Sequence, residues 1–271
     1  MINTYYKNNE IIFEFDNVCK PINLGLKQIP LYNLLMGYWE RKSNQDLIKI
    51  SGLNNNCNIL ELGVGTGYLF YLIIKSSNNC NIFGIDYSYS MIKETKKYLQ
   101  SKQVDKNILI ANTFDFSKND SIHLINENIF SIRTSNDIKF RKIYSSYLFD
   151  LLTENEILSV FNIIYRILED EGSLYIAVLN DEIEDGSTIF EKLVNNYFKT
   201  INKIYEKCYR SDIIKTISQN MFYGYYTHSR PIKIKSIINK SNYFHIKNEY
   251  YSYIKVIGFP ALQAIILELK K

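Results

Sequence analysis

The chain has 271 residues, of which 46% are hydrophobic and 22% are charged, and its formal net charge is +4. This composition excludes disordered and collagen-like proteins, and the length predicts a chain that buries a sizeable core. Its apolar runs are too short for a membrane span and its first residues lack the pattern of a signal peptide, so we expect a cytoplasmic protein.

Cysteine and histidine are sparse. The four cysteines (Cys19, Cys57, Cys80 and Cys208) are widely spaced without a CxxC pair, and only three histidines are present. This spacing predicts no metal site and no disulfide framework.

The predicted elements begin with two strand and helix pairs. Apolar runs at 58–62 and 81–86 predict buried strands, and helical spacing of apolar side chains predicts helices at 66–76 and 88–100. Thr66 is the candidate N-cap of the first helix.

The alternation continues towards the middle of the chain. We predict a third strand at 107–111 and a fourth at 142–148, with a short helix and loops between them. A helix over 154–168, stopped by Gly172, precedes a fifth strand at 173–179. Its start carries the capping-box pair Thr153 and Glu156.

The last third changes pattern. Helices are predicted at 187–205 and 212–221, followed by two strands at 244–251 and 262–269 whose short connection requires an antiparallel hairpin. The expected fold is α/β, a Rossmann-like, doubly wound, seven-stranded sheet that is mainly parallel, with this hairpin at its end. Residues 181–242 would form a helical cap on a single domain spanning 1–271.

A glycine-rich turn joins the first strand to its helix. Gly63, Gly65 and Gly67 allow a sharp backbone bend and close approach of a ligand, and Asp86 ends the neighbouring strand. A carboxylate there can accept hydrogen bonds from ribose hydroxyls.

A dinucleotide site is the alternative interpretation of this turn. Its fingerprint requires a third glycine at position 68, where the chain has Tyr68, and Glu61 before the turn suits a cationic ligand better than a diphosphate.

Three motifs in order resemble those of class I S-adenosylmethionine-dependent methyltransferases. They are ELGVGTG at 61–67, Asp86 in GIDYSYSMI, and RILEDEGSL at 166–174, and the resemblance spans roughly residues 32–180. It implies methyl transfer from S-adenosyl-L-methionine to a small organic acceptor, with S-adenosyl-L-homocysteine as the product.

The resemblance also implies roles for individual residues. Glu61 would orient the methionine amino group, the three glycines would lie against the cofactor, and Asp86 would hold the ribose. The residues implied around the adenine are Tyr87, Met91, Asn112, Thr113 and Phe114. Asn112 stands where the family usually has Asp, which keeps a hydrogen-bonding group but removes its charge.

Fewer sequence features indicate where the methyl acceptor would bind. Residues 32–40 (YNLLMGYWE) resemble the N-terminal entry of ubiquinone/menaquinone methyltransferase-like and phospholipid N-methyltransferase-like enzymes. This implies a helical lid over 1–50 that folds over the cofactor, with Tyr32 as a candidate contact. A helix packed onto the sheet is the alternative explanation of the aromatic cluster that includes Tyr38 and Trp39. Ser145 and Tyr147, at the carboxyl end of the fourth strand, would touch the sulfonium or the acceptor, with Tyr147 a candidate catalytic residue.

His228 and Arg230 are further catalytic candidates. Arg230 can pair with a carboxylate or phosphate and His228 can take a proton, whereas the structural alternative is that Arg230 fixes a loop before a helix at 232–240.

The C-terminal third is basic. Residues 186–271 carry fourteen Lys or Arg and five Asp or Glu, a net charge of +9. This asymmetry indicates an anionic substrate, a nucleic acid or an acidic membrane surface, and a solvated face of lysines is the alternative. No nucleic-acid motif is present, so we expect a small-molecule substrate with anionic, aromatic or lipid-like parts and allow for peripheral contact with a membrane. The alternative function is a non-catalytic scaffold that binds protein or RNA through this region. The oligomeric state is not predicted.

Overall fold

The computed structural model describes residues 3–7, 10–14, 37–52, 54–104, 107–111, 122–132, 139–179, 232–256 and 259–271. Its strands are β1 (Asn3–Lys7), β2 (Glu10–Glu14), β3 (Asn54–Asn55), β4 (Asn58–Leu62), β5 (Ser77–Asn78), β6 (Asn81–Asp86), β7 (Ile108–Ala111), β8 (Ile122–Asn126), β9 (Phe140–Ser146), β10 (Leu168–Leu179), β11 (His245–Val256) and β12 (Phe259–Lys270). Its α-helices are α1 (Gly37–Ser51), α2 (Tyr68–Lys75), α3 (Tyr89–Ser101), α4 (Glu154–Ile167) and α5 (Ile234–Ser241). Short 3₁₀ turns lie at Ile129–Ser131 and Phe149–Leu151.

One large sheet organises the molecule. Its order is β11-β12-β10-β9-β4-β6-β8-β7, and the six strands from β10 to β7 are parallel. The last two strands of the chain pair antiparallel with each other, and β12 also pairs antiparallel with β10. The α/β fold with a mainly parallel sheet and a C-terminal antiparallel hairpin is therefore confirmed.

Within the described residues the sheet has eight strands, where the sequence predicts seven. The added strand is β8, in a stretch where we expected only a short helix and loops. It pairs with β6, and β7, the predicted third strand, pairs with β8 at the edge of the sheet. This correction changes which residues follow the strand next to Asp86.

Apolar side chains cover both faces of the sheet. On one face, α4 and α5 pack through residues such as Val160, Phe161 and Ile238. On the other, α1, α2 and α3 pack through residues such as Leu47 and Phe70. Helices on both faces satisfy the apolar surfaces of a parallel sheet, as the alternating sequence pattern predicts.

Two predicted helix boundaries are wrong. Thr66 is not the N-cap of α2, because Gly67 holds that position with φ of 87° and makes no side-chain cap. Gly172 does not stop α4, which ends at Ile167, and lies instead within β10. A Cβ at Gly172 would stand 2.7 Å from Leu168 Cγ, so glycine is required there by close packing.

The predicted terminal segments are described in part. Residues 3–14 contain an antiparallel hairpin of β1 and β2, so the predicted N-terminal lid is not wholly helical, and α1 supplies its helical part. The helices predicted at 187–205 and 212–221 lie outside the described residues, and α5 is the described helix of the predicted cap. Within the described part of the chain, no helix is long and apolar enough to cross a membrane.

Candidate functional site

The glycine turn follows β4 at the carboxyl edge of the parallel strands. Gly63, Gly65 and Gly67 have φ of 74°, 53° and 87°, a left-handed region that side chains disfavour. The bend is fixed to β6, because the Gly63 and Val64 N–H groups both donate to the Ile85 carbonyl, at 2.8 and 3.1 Å. The turn therefore has a defined shape rather than that of a loose loop.

Asp86 meets this turn, as the sequence predicts. Its Oδ2 accepts a hydrogen bond from the Gly65 N–H at 2.9 Å, and its Oδ1 accepts one from the Ser88 N–H at 2.8 Å. Burial raises the pKa of Asp86 to about 6, although these two hydrogen bonds act to lower it. The carboxylate is thus held in one orientation and retains lone pairs for a further donor.

Glu61 is the second acid of the site. Its side chain is 2% exposed, and its Oε2 has no hydrogen-bond partner among the described residues. Burial, and then the charge of Asp86, raises the pKa of Glu61 well above its usual range. A buried carboxyl without a partner is costly, so this atom indicates a ligand that donates a hydrogen bond.

The space beside the turn is suited to a ligand. A Cβ built on Gly65 would meet no described atom within 4 Å, whereas one on Gly67 would stand 2.9 Å from Thr95 Cγ2. Gly67 is therefore needed for packing, whereas the position of a Gly65 side chain is open among the described residues. The chain also reverses its strand order between β4 and β9, and ligands of open α/β sheets bind at such a point.

The residues implied around the adenine divide into two groups. Tyr87 follows β6 and is 44% exposed, while Met91 is buried on α3. Asn112, Thr113 and Phe114 lie outside the described residues. They follow β7, which is one strand further from Asp86 than β8.

Polar residues at the end of β8 were missed by the sequence analysis. The Asn126 Nδ2 donates to the carbonyls of Asp86 and Tyr87, at 3.0 and 2.7 Å, and the Glu127 N–H donates to the Asp86 carbonyl at 3.2 Å. The signal was present as an apolar run followed by Asn-Glu-Asn at 126–128. These side chains lie at the same sheet edge as Asp86.

The hydroxyl groups of Ser145 and Tyr147 both form hydrogen bonds within the protein. Ser145 is buried in β9 and its hydroxyl donates to the Leu62 carbonyl at 3.3 Å. The Tyr147 hydroxyl lies 2.6 Å from Ser43 Oγ on α1, and Tyr147 holds φ of 57°, unusual for an aromatic residue. Burial raises the Tyr147 pKa, so its hydroxyl keeps its proton at neutral pH.

The remaining candidates, Tyr32, His228 and Arg230, lie outside the described residues. The site that the structure brings together is therefore Glu61, the glycine turn and Asp86, with β8 on one side and Tyr147 near α1 on the other.

A family model described as a methyltransferase domain matches residues 53–228 of the chain. No curated protein matches the chain by sequence.

Solved structures share the fold at low sequence identity. The N-methyltransferase NodS from Bradyrhizobium japonicum WM9 has 12% identity and a TM-score of 0.51, covering 86% of this chain and 96% of its own. A SAM-dependent methyltransferase from Aquifex aeolicus has 11% identity and a TM-score of 0.54, with coverage of 90% and 97%. Magnesium protoporphyrin IX methyltransferase from Synechocystis PCC 6803, with bound SAH, has 10% identity and a TM-score of 0.54, with coverage of 90% and 93%.

Proposed function

This chain belongs to the methyltransferase-domain family, and we propose that it transfers a methyl group from S-adenosylmethionine to a small organic acceptor. The observation that carries the choice of donor is the Gly65 to Asp86 hydrogen bond beside the Glu61 Oε2 atom, which has no partner in the described part of the chain. Asp86, held beside the turn, can accept hydrogen bonds from ribose hydroxyls, and Glu61 can accept one from an ammonium group. The two acids therefore suit an adenosyl group that carries an ammonium.

Each residue of the site is proposed to contact a different part of the ligand. Asp86 would accept hydrogen bonds from the ribose hydroxyls while Gly65 N–H keeps its carboxylate in place. Glu61 would accept a hydrogen bond from the ammonium group, which supplies the partner that its Oε2 lacks. Tyr87, Met91 and the end of β8 would flank the base.

Positioning accounts for much of the expected rate. S-adenosylmethionine, when bound, supplies a methyl group already activated by its sulfonium. The protein then has to hold an acceptor in line with that methyl and exclude water, which is worth several kcal/mol without any proton transfer. Ser145, within β9, and Tyr147, just after it, are proposed to line this point, because Ser145 pairs with Leu62 directly before the glycine turn.

Tyr147 is proposed to contribute a neutral hydroxyl rather than a general base, because its pKa is raised and its oxygen already contacts Ser43. His228 and Arg230 remain proposed as a proton acceptor and an anion contact. With the basic C-terminal third, Arg230 supports an acceptor that carries an anionic group beside aromatic or lipid-like parts.

Calorimetry of the full chain with S-adenosylmethionine tests the proposal. Asp86→Ala should weaken binding by about 1 to 3 kcal/mol, because the ribose hydroxyls lose a charged acceptor. Asp170→Ala is the matched control, since the Asp170 side chain is 100% exposed and should leave the affinity unchanged.

Two outcomes would contradict the proposal. Absence of binding heat at millimolar cofactor would remove S-adenosylmethionine as the donor. Equal affinities of the wild-type chain and Asp86→Ala would remove Asp86 from the site while leaving the family assignment intact.

A further inference from the structure

Two cysteines that are distant in sequence lie side by side at the amino ends of β4 and β6, away from the glycine turn. Cys57 precedes β4 and Cys80 precedes β6, and their Sγ atoms are 3.6 Å apart. Both are free thiols. The sequence spacing gave no indication of this pair, because a parallel sheet brings together residues on either side of a whole helix.

The backbone geometry suits a covalent link. Asn58 and Asn81 are direct partners in the parallel pairing of β4 and β6, so the residues just before them are lateral neighbours. The Asn81 N–H donates to the Cys57 carbonyl at 3.2 Å, which extends the pairing to Cys57. Adjacent strands lie about 4.8 Å apart, inside the range of Cα separations that disulfides adopt.

The two side chains also share a face of the sheet. Cys80 belongs to the apolar cluster that includes Ile59 and Ile82, and Cys57 packs against the same cluster. Because strand side chains alternate, Cys57 and Ile59 point the same way, as do Cys80 and Ile82. Bringing the Sγ atoms from 3.6 Å to a bond of about 2 Å needs side-chain rotation and a small strand adjustment.

The two thiols differ in their exposure to solvent. Cys57 is half-buried, whereas Cys80 is fully buried. Burial raises the pKa of the Cys57 thiol to about 12, which the neighbouring Lys142 ammonium partly opposes. A thiol of this kind reacts slowly at neutral pH, and the first reaction should occur at Cys57.

We propose that Cys57 and Cys80 form a reversible intramolecular disulfide when the protein meets a low-molecular-weight disulfide such as oxidised glutathione. The Cys57 thiolate attacks one sulfur of the oxidant, forming a mixed disulfide and releasing one glutathione thiolate. Cys80, after losing its proton, attacks Cys57 Sγ and releases the second glutathione. The protein loses two electrons and two protons, and the oxidant becomes two glutathione thiols.

The link would join the starts of the two strands whose other ends carry Glu61 and Asp86. It forms at the amino ends of β4 and β6, so it leaves the glycine turn and its hydrogen bonds in place. Cofactor affinity is therefore expected to change less than about threefold on oxidation, which separates this proposal from the proposed function.

Thiol counting and peptide mapping test the pair directly. In a Cys19→Ser/Cys208→Ser variant, oxidised glutathione should remove both remaining thiols together and give a peptide that links Cys57 to Cys80, and dithiothreitol should restore both. The rate should rise about tenfold per pH unit between pH 7 and 9, because the thiolate fraction grows with pH below the pKa. A map of the wild-type chain gives the same information without any substitution.

Three results would overturn the proposal. They are a stable glutathione adduct on Cys57 without the linked peptide, a link from either residue to Cys19 or Cys208 in the wild-type chain, and survival of both thiols at pH 9. Adding Cys80→Ser to the variant provides the matched control, since it should stop at the glutathione adduct.

Discussion

At the scale of single residues, the protonation of Asp86 should control cofactor binding. Its pKa is raised to about 6 by burial, so the acid is mostly ionised at pH 7 and mostly protonated at pH 5. A protonated carboxyl loses its charged acceptor oxygen, and the affinity for S-adenosylmethionine should fall about tenfold from pH 7 to pH 5. Calorimetry at both pH values measures this change.

The raised pKa of Asp86 also makes the stability of the fold depend on pH. A carboxyl whose folded pKa lies above its unfolded value stabilises the fold most below pH 4, and that contribution is lost as pH rises through about 6. Asp86→Asn should remove this loss and bind the cofactor weakly at both pH values. Asp150→Asn is the control for the affinity, because Asp150 accepts from the Leu179 N–H instead of the glycine turn. Burial raises the pKa of Asp150 as well, so both variants should remove a loss of stability as pH rises, and the affinity distinguishes them. An affinity that is constant from pH 7 to 5 would contradict the argument.

Three glycines with positive φ should respond differently to alanine. Gly52→Ala meets open space and measures backbone strain alone, about 1 kcal/mol of unfolding free energy. Gly67→Ala adds contact with Thr95 and should cost about 2 kcal/mol or more. Gly65→Ala should match Gly52→Ala in stability but lose at least about tenfold in cofactor affinity, because its methyl group enters the ligand's approach.

Urea denaturation and calorimetry of the three variants separate these effects. If Gly65→Ala and Gly52→Ala bound the cofactor equally well, the open side of Gly65 would not be the approach that we infer.

At the scale of elements, the start of α4 was predictable in detail. The Glu156 N–H donates to Thr153 Oγ1 at 3.4 Å, and the Thr153 N–H donates to Glu156 Oε2 at 2.7 Å, which forms the capping box that the sequence indicated. Thr153→Ala should lower the unfolding free energy by about 1 kcal/mol, whereas Thr153→Ser should retain most of it. Urea denaturation measures both, and equal losses in the two variants would contradict the role of the hydroxyl.

The strand beside β6 shows what the sequence could not determine. Local signals identify a capping box, because its partners are three residues apart, and an acid after a strand, because Asp86 follows a clear apolar run. The choice between 107–111 and 122–126 as the neighbour of β6 depends on pairing across the sheet, and both are short apolar runs. The sequence also singled out Tyr147, which follows β9, but its contact with Ser43 crosses 104 residues and leaves no local trace.

At the scale of the whole molecule, the parallel half of the sheet depends on the end of the chain. The last strand, β12, lies between β10 and β11, so it pairs with the edge of β10 on one side and with β11 on the other. Glu268 fixes it there, because its carboxylate accepts hydrogen bonds from Ser173, Tyr175, Lys247 and Asn248. These partners come from both neighbouring strands, so one buried acid joins three strands.

Removal of β12 should therefore abolish cooperative folding rather than weaken it slightly. The strand buries Ile265, Ile266, Leu267 and Leu269, and each such side chain contributes about 1.5 to 3 kcal/mol, which together approaches the whole stability of a typical domain. A chain ending at residue 258 should show no cooperative urea transition. A chain lacking only Lys271, whose ion pair with exposed Asp170 spans 3.3 Å, should unfold within about 0.5 kcal/mol of the full chain. A cooperative transition in the shorter chain would mean that the strands from β10 to β7 fold without the hairpin that completes the sheet.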